Sequence, residues 1–156
     1  MAKLRHIALS VPDPWASARF YQEAFGLEVV GEAHSSTADG VYLSDGTVSL
    51  TLLKYKTDAP AGPVGKDFVG LHHMGFICDD LQAQSSQVEA AGAQLFMDVP
   101  AQATTEYYEK KYRDPDGIIF DITHSGWRGA RALFKTPAKP AGRVARSPKR
   151  KRPHRG

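Results

Sequence analysis

The residues of this sequence that point most directly to chemistry are His6 and His73. They occupy matching segments, LRHIALSVPDP at 4–14 and LHHMGFICDDL at 71–81, offset by 67 residues. His6 aligns with His73, Ile7 with Met74, Ala8 with Gly75 and Leu9 with Phe76. Side chains along a strand point to opposite faces in turn. Ile7, Leu9 and Val11 therefore share one face, as do Met74, Phe76 and Cys78, while His6 and His73 take the other. In the later strand IIFDIT, Ile118, Phe120 and Ile122 claim the core face, and Asp121 joins the histidines. A single strand histidine reads as a hydrogen-bonded core residue, and a single strand-end aspartate as solvated. Two histidines at equivalent repeat positions, with a carboxylate on the same face, point instead to a metal site. Two neutral imidazoles and one carboxylate suit Fe(II), Mn(II) or Zn(II) and leave positions open for substrate and water.

The elements that must position these residues also occur twice. After each histidine strand comes a helix-like stretch ending in glycine, PWASARFYQEAFG at 14–26 and LQAQSSQVEAAG at 81–92. Asp13 followed by Pro14 starts the first, and Asp79 or Asp80 the second. Gly26 and Gly92 suit the left-handed residue that ends a helix. Trp15, Ala18, Phe20, Tyr21, Ala24 and Phe25 form the expected apolar stripe of the first helix, and Leu81, Val88 and Ala91 that of the second. Ser44-Asp45-Gly46 and Pro115-Asp116-Gly117 each precede an apolar strand. Each half thus reads strand, helix, then three strands. The strands fall near 3–11, 27–31, 40–44 and 47–55, and near 70–78, 93–98, 106–113 and 118–123. A helix on one face of a mixed sheet, twice over, predicts an α+β protein.

The chain has 156 residues, 42% of them apolar and 24% charged, which are globular values. No stretch approaches the roughly 18–20 apolar residues of a membrane helix. Pro12, Asp13 and Pro14 cut short the apolar run at the N-terminus, so a secretory signal is not expected. A single cysteine, Cys78, excludes an internal disulfide or a multi-cysteine zinc site, and a cytoplasmic protein is expected. The formal net charge of +3 hides a split. Residues 135–156 carry nine of the 20 Lys/Arg and none of the 17 Asp/Glu, so residues 1–134 hold 11 basic and 17 acidic groups, a balance of −6. The tail, KTPAKPAGRVARSPKRKRPHRG, has four prolines and one large apolar residue, Val144, and is expected to be disordered. Its Lys149–Arg152 run offers non-specific contact with nucleic-acid phosphates, without aromatic residues to stack bases. The division expected is a domain over 1–134, with modules at about 3–56 and 70–127, and the tail over 135–156.

The openings HIALSV and HMGF, the helix ending AFGLEVVG and the closing RDPDGIIFDI resemble the vicinal oxygen chelate superfamily over about residues 4–127. This group includes glyoxalase I, methylmalonyl-CoA epimerase, extradiol ring-cleaving dioxygenases, fosfomycin-resistance thiol transferases and bleomycin-binding proteins. The resemblance implies a glyoxalase-like fold of paired βαβββ modules forming a cupped eight-stranded mixed sheet. It implies a homodimer too, with modules pairing within one chain or across two. Carried over by position, it makes His6, His73 and Asp121 the ligands of a divalent metal (Fe, Mn, Zn or Ni). Asp121 stands where the family usually has the longer Glu. Thr51 falls where glyoxalase I and the epimerases carry a carboxylate, which counts against their usual proton-abstraction chemistry. Three-ligand sites of this kind resemble the dioxygenases and thiol transferases. In the dioxygenases a tyrosine precedes the last ligand; Tyr112 is near that place, although alignment through Pro115 and Gly117 puts Lys111 there.

These features imply a metal-dependent enzyme acting on a small oxygenated substrate, either ring-cleaving and dioxygenase-like or lyase- or transferase-like. Tyr108, Tyr112 and His124 are the candidates for proton transfer, and Thr51 and Lys110 for substrate contact. His34 lies in a polar loop able to close over the site, while His72 and Trp127 read as packing residues. The alternative is a metal-free binding protein, like the bleomycin binders, whose acidic domain favours a cationic ligand.

Overall fold

A computed structural model describes residues 1–99 and 108–132. The elements run β1 (Lys3–Ser10), α1 (Pro14–Phe25), β2 (Glu28–His34), β3 (Ala38–Ser44), β4 (Ser49–Tyr55), α2 (Asp58–Ala61), β5 (Gly70–Ile77), α3 (Leu81–Ala90), β6 (Gln94–Val99), β7 (Glu109–Arg113) and β8 (Ile119–Thr123). A short 3-10 turn over Gly62–Val64 follows α2 and completes the connection between the two halves. The expected basic tail, and any nucleic-acid contact it makes, lie outside the described residues. No helix among the described residues is long and apolar enough to cross a membrane.

All eight strands form one sheet in the order β2-β3-β4-β1-β5-β8-β7-β6. The order repeats itself about its centre. β1 lies parallel to β4 and β5 parallel to β8, and the two histidine strands, β1 and β5, pair antiparallel in the middle. The two modules therefore join within one chain. This central pairing makes both histidines neighbours in space although 67 residues separate them.

Local signals explain the helices. The Asp13 carboxylate accepts from the backbone N–H of Trp15 and Ala16, Pro14 sits in the first turn, and Gly26 ends α1 at φ 70. Asp80 accepts from the Ala83 N–H at the start of α3. The apolar stripe of α1 is narrower than its sequence suggests. Ala18 is buried against Val41, Leu43 and Leu52, with Trp15 and Tyr21 packed around them. Phe20 and Phe25 instead remain 58% and 68% exposed, forming an edge-to-face pair outside the core. Ala24 on α1 and Ala91 after α3 are exposed as well, because each helix touches the sheet along one line only. Both helices cover one face, which leaves the other to line a cavity of about 680 Å³.

Candidate metal centre

The register across the sheet lays Ser49, His6, Gly75, Asp121 and Lys111 in one row spanning five strands. The adjacent row carries Tyr42, Thr51, Ala8 and His73. His6, His73 and Asp121 are 4%, 3% and 0% exposed. Their candidate donor atoms all lie within 4.8 Å of one another. His6 Nε2 is 3.3 Å from His73 Nε2, which in turn is 3.2 Å from Asp121 Oδ2.

The protons on His73 can be placed by elimination. His72 Nε2 lies 2.8 Å from the Ala61 carbonyl, which can only accept, so this nitrogen carries the proton. Burial, the largest effect, lowers the His72 pKa, so the ring is neutral and its Nδ1 is bare. That bare nitrogen is 2.7 Å from His73 Nδ1, which must therefore donate. His73 is neutral too: burial first, then the charge of Lys111 and the His72 ring, hold its pKa well below the usual value. Its Nε2 is left without a proton, facing the Asp121 carboxylate oxygen. Two acceptors at that distance repel, and a cation placed between them would turn the repulsion into attraction. The His6 pKa falls to about 3, through burial and then His73, so that ring offers a neutral donor atom as well.

The spacing fits such a cation. Metal–ligand bonds of about 2.0–2.2 Å meeting at tetrahedral to octahedral angles put neighbouring donors about 2.8–3.6 Å apart. The His6–His73 and His73–Asp121 separations fall inside that range, and the remaining pair, His6 and Asp121, lies within 4.8 Å. His6 Nδ1 and Asp121 Oδ1 are buried with no hydrogen-bond partner. A carboxylate with an unpartnered buried oxygen and a histidine pair with one nitrogen stripped of its proton make a donor set suited to a divalent ion.

One cation is already present beside this set. Lys111 Nζ lies 2.7 Å from Asp121 Oδ2 and 3.0 Å from Glu109 Oε1. Burial alone would lower the lysine pKa, but Asp121 and Glu109 outweigh it and hold the ammonium above the usual lysine range. Lys111 is thus a donor here and not a base. Glu109 also accepts from the Trp127 indole N–H at 2.9 Å. The Tyr55 phenol, pushed up to about 12 by burial, keeps its proton.

The chain beyond β8 runs back across this face as a strap. Ser44 Oγ donates to the Gly129 carbonyl at 2.7 Å, and the Arg131 N–H to the Thr47 carbonyl at 2.9 Å, tying the end of the second module to the first. Trp127 stacks on His6 with ring centroids 4.7 Å apart and planes 11° from parallel. The indole lies so close to β5 that a Cβ on Gly75 would sit 2.6 Å from two of its ring atoms. Only glycine at that position allows the stack.

The expected site residues divide between the two faces. His6, His73 and Thr51 line the cavity, with Asp121 buried beside them, and Thr51 Oγ1 has no partner. Tyr112 points the other way: it is fully buried, stacks on Phe120 and donates to Glu89 on α3. Lys110 lies opposite Ile122 in the register, and Tyr108 donates to Asp98 at 2.9 Å. His124 is exposed just beyond β8. None of these four lines the cavity. The residues of opposite parity, Glu109 and Lys111, do, because Lys111 is opposite Asp121. His34 lines the rim, stacked on Trp15. His72 and Trp127 contact His73 and His6 directly, beyond the packing roles their sequence positions suggest.

Residues 3–122 match the family model described as the Glyoxalase/Bleomycin resistance protein/Dioxygenase superfamily. Among solved structures, a variant methylmalonyl-CoA epimerase from Streptomyces coelicolor in complex with 2-nitronate-propionyl-CoA is 20% identical, with a TM-score of 0.64 over 77% of this chain and 94% of that one. Methylmalonyl-CoA epimerase from Mycobacterium tuberculosis is 15% identical, with a TM-score of 0.61 over 77% and 85%. A hypothetical protein from Bacillus halodurans is 18% identical, with a TM-score of 0.64 over 78% and 93%. No curated protein sequence matches the chain significantly.

Proposed function

Since the chain belongs to the glyoxalase/bleomycin resistance protein/dioxygenase superfamily, we propose that it is a metal-dependent enzyme acting on a small oxygenated molecule. His6, His73 and Asp121 hold the ion in this reading. The observation that carries it is the buried His73 Nε2, which the hydrogen bond to His72 leaves without a proton, set 3.2 Å from Asp121 Oδ2 and 3.3 Å from His6 Nε2, so that three donor atoms converge where an ion would sit. A divalent ion there supplies Lewis-acid polarisation of substrate oxygens or activation of dioxygen, with positions left open for both.

The surrounding residues bind and orient. The Lys111 ammonium donates toward a negative oxygen of the substrate. Thr51 offers a hydroxyl from the cavity floor, and Trp127 excludes water from the His6 side. Thr51 cannot abstract a carbon-bound proton, Lys111 and Tyr55 hold their protons, and the Glu109 carboxylate that lines the cavity is engaged by Lys111 and the Trp127 indole. This favours ring cleavage or group transfer over epimerisation. The same proposal places the protein in the cytoplasm, in keeping with its one buried, free cysteine, and makes it a homodimer on the strength of the family resemblance alone.

The test is turnover by the full chain reloaded separately with Fe(II), Mn(II), Zn(II) and Ni(II). Oxygen uptake with catechols, or glutathione addition to epoxides, that requires the metal and disappears in His73→Ala supports the proposal. Turnover that is equal in metal-free protein contradicts it. A second reading, a metal-free binding protein, draws on Lys111, whose ammonium already neutralises Asp121 at 2.7 Å.

A further inference from the structure

The strap brings two consecutive side chains to the cavity, Trp127 and Arg128. Arg128 reaches across to β2, where a Cβ on Gly31 would come within 2.7 Å of Nη1 and 3.2 Å of Cδ. The absent side chain of Gly31 is what lets the guanidinium lie there. Among the described residues, no hydrogen bond or ion pair holds Arg128. Its charged neighbours around the cavity do have partners: Lys111 bridges Asp121 and Glu109, and Glu32 faces His34 at 3.5 Å. With histidines counted as neutral, the lining charges of Glu32, Glu109, Lys111 and Arg128 cancel, leaving the single negative charge of Asp121. A divalent ion turns that balance to one net positive charge, so the loaded cup favours anionic ligands.

We infer that Arg128 forms an oxyanion subsite at the mouth of the cup, so that the molecule whose oxygens meet the metal also carries a carboxylate. The inference rests on the metal-dependent reading above. Arginine suits the task because its planar fork of N–H donors matches a carboxylate in two parallel bonds. The substrate class becomes a small acid with an oxygen pair at one end and its carboxylate at the other, spanning from His6 and His73 to the strap.

Two hydroxamates that differ by one carboxylate test this on the zinc-loaded full chain. Acetohydroxamate offers only the chelating oxygen pair, whereas succinohydroxamate adds the acid. Calorimetry on the parent is expected to show succinohydroxamate binding at least about tenfold tighter. Arg128→Met is expected to erase that preference while leaving the Kd of acetohydroxamate unchanged. Gly31→Ala, which pushes the guanidinium aside without removing it, reduces the preference. Equal affinities in the parent, or a preference that survives Arg128→Met, overturn the inference alone. A chain that takes up no zinc overturns the reading beneath it and this inference with it.

Discussion

His72 Nδ1 accepts the Nδ1 proton of His73 across 2.7 Å, and this contact decides which nitrogen of His73 faces the cup. The direction is set one step further back, where His72 Nε2 donates to the Ala61 carbonyl in the connection between the two modules. Backbone, second histidine and first histidine form a one-way chain of donors that ends at the bare Nε2. Outer partners of this kind fix the tautomer and orientation of a metal-binding histidine.

Replacing His72 by Phe removes the acceptor and frees His73 to take either tautomer. Metal affinity is expected to fall about ten- to a hundredfold. Nitrogen NMR of the metal-free chain provides an independent reading: His73 carries its proton on Nδ1 in the parent and populates both tautomers in the variant.

Lys111 and a divalent ion are expected to compete for Asp121. Lys111→Met leaves a buried carboxylate without its cation, and breaking such a pair costs about 3 kcal/mol. Thermal melts should show a lower Tm for the metal-free variant than for the metal-free parent. Added zinc should raise the variant's Tm by more than it raises the parent's. Equal shifts would show that Lys111 does not share the carboxylate with the ion.

Acid should destabilise the metal-free chain. His6 is held neutral to about pH 3, against an ordinary value of 6.5, and His73 is depressed in the same direction. Between those limits the unfolded chain binds more protons than the folded one, so stability falls as pH falls. Each histidine contributes a slope of about 1.4 kcal/mol per pH unit below 6.5. Urea midpoints should drop between pH 7 and pH 5, and less steeply in His6→Gln.

Gly75→Ala should push Trp127 off His6, since the new methyl would sit 2.6 Å from the indole ring. The cost expected for this overpacking is about 1–3 kcal/mol. Tryptophan fluorescence should shift to the red as the indole gains water, whereas the parent spectrum stays buried in character.

The internal repeat makes much of this fold legible in the sequence, because matching histidine strands, helix stops and turns recur in the same order. Strand alternation alone brings His6, His73 and Asp121 to one face. It misplaces the support around them for identifiable reasons. The register slips at His72, where Ala8 is opposite His73 while Leu9 is opposite Leu71. That irregularity sets two consecutive imidazoles side by side, which strict alternation forbids. On β7 the sequence offers Tyr108, Lys110 and Tyr112 as readily as Glu109 and Lys111. Only the pairing of Lys111 with Asp121 settles which set faces the cup. The strap, with Trp127 on His6 and Arg128 over Gly31, depends on contacts between distant parts of the chain that leave no local periodicity.

Metal content decides whether His6, His73 and Asp121 hold an ion. The full chain, purified without a polyhistidine tag and offered Fe, Mn, Zn and Ni, should hold about one divalent ion per molecule by mass spectrometry. His6→Ala and His73→Ala should each lose it while remaining folded. A parent that takes up no metal from any of the four, with both variants as stable as the parent, would contradict the metal centre and leave the cup a binding pocket.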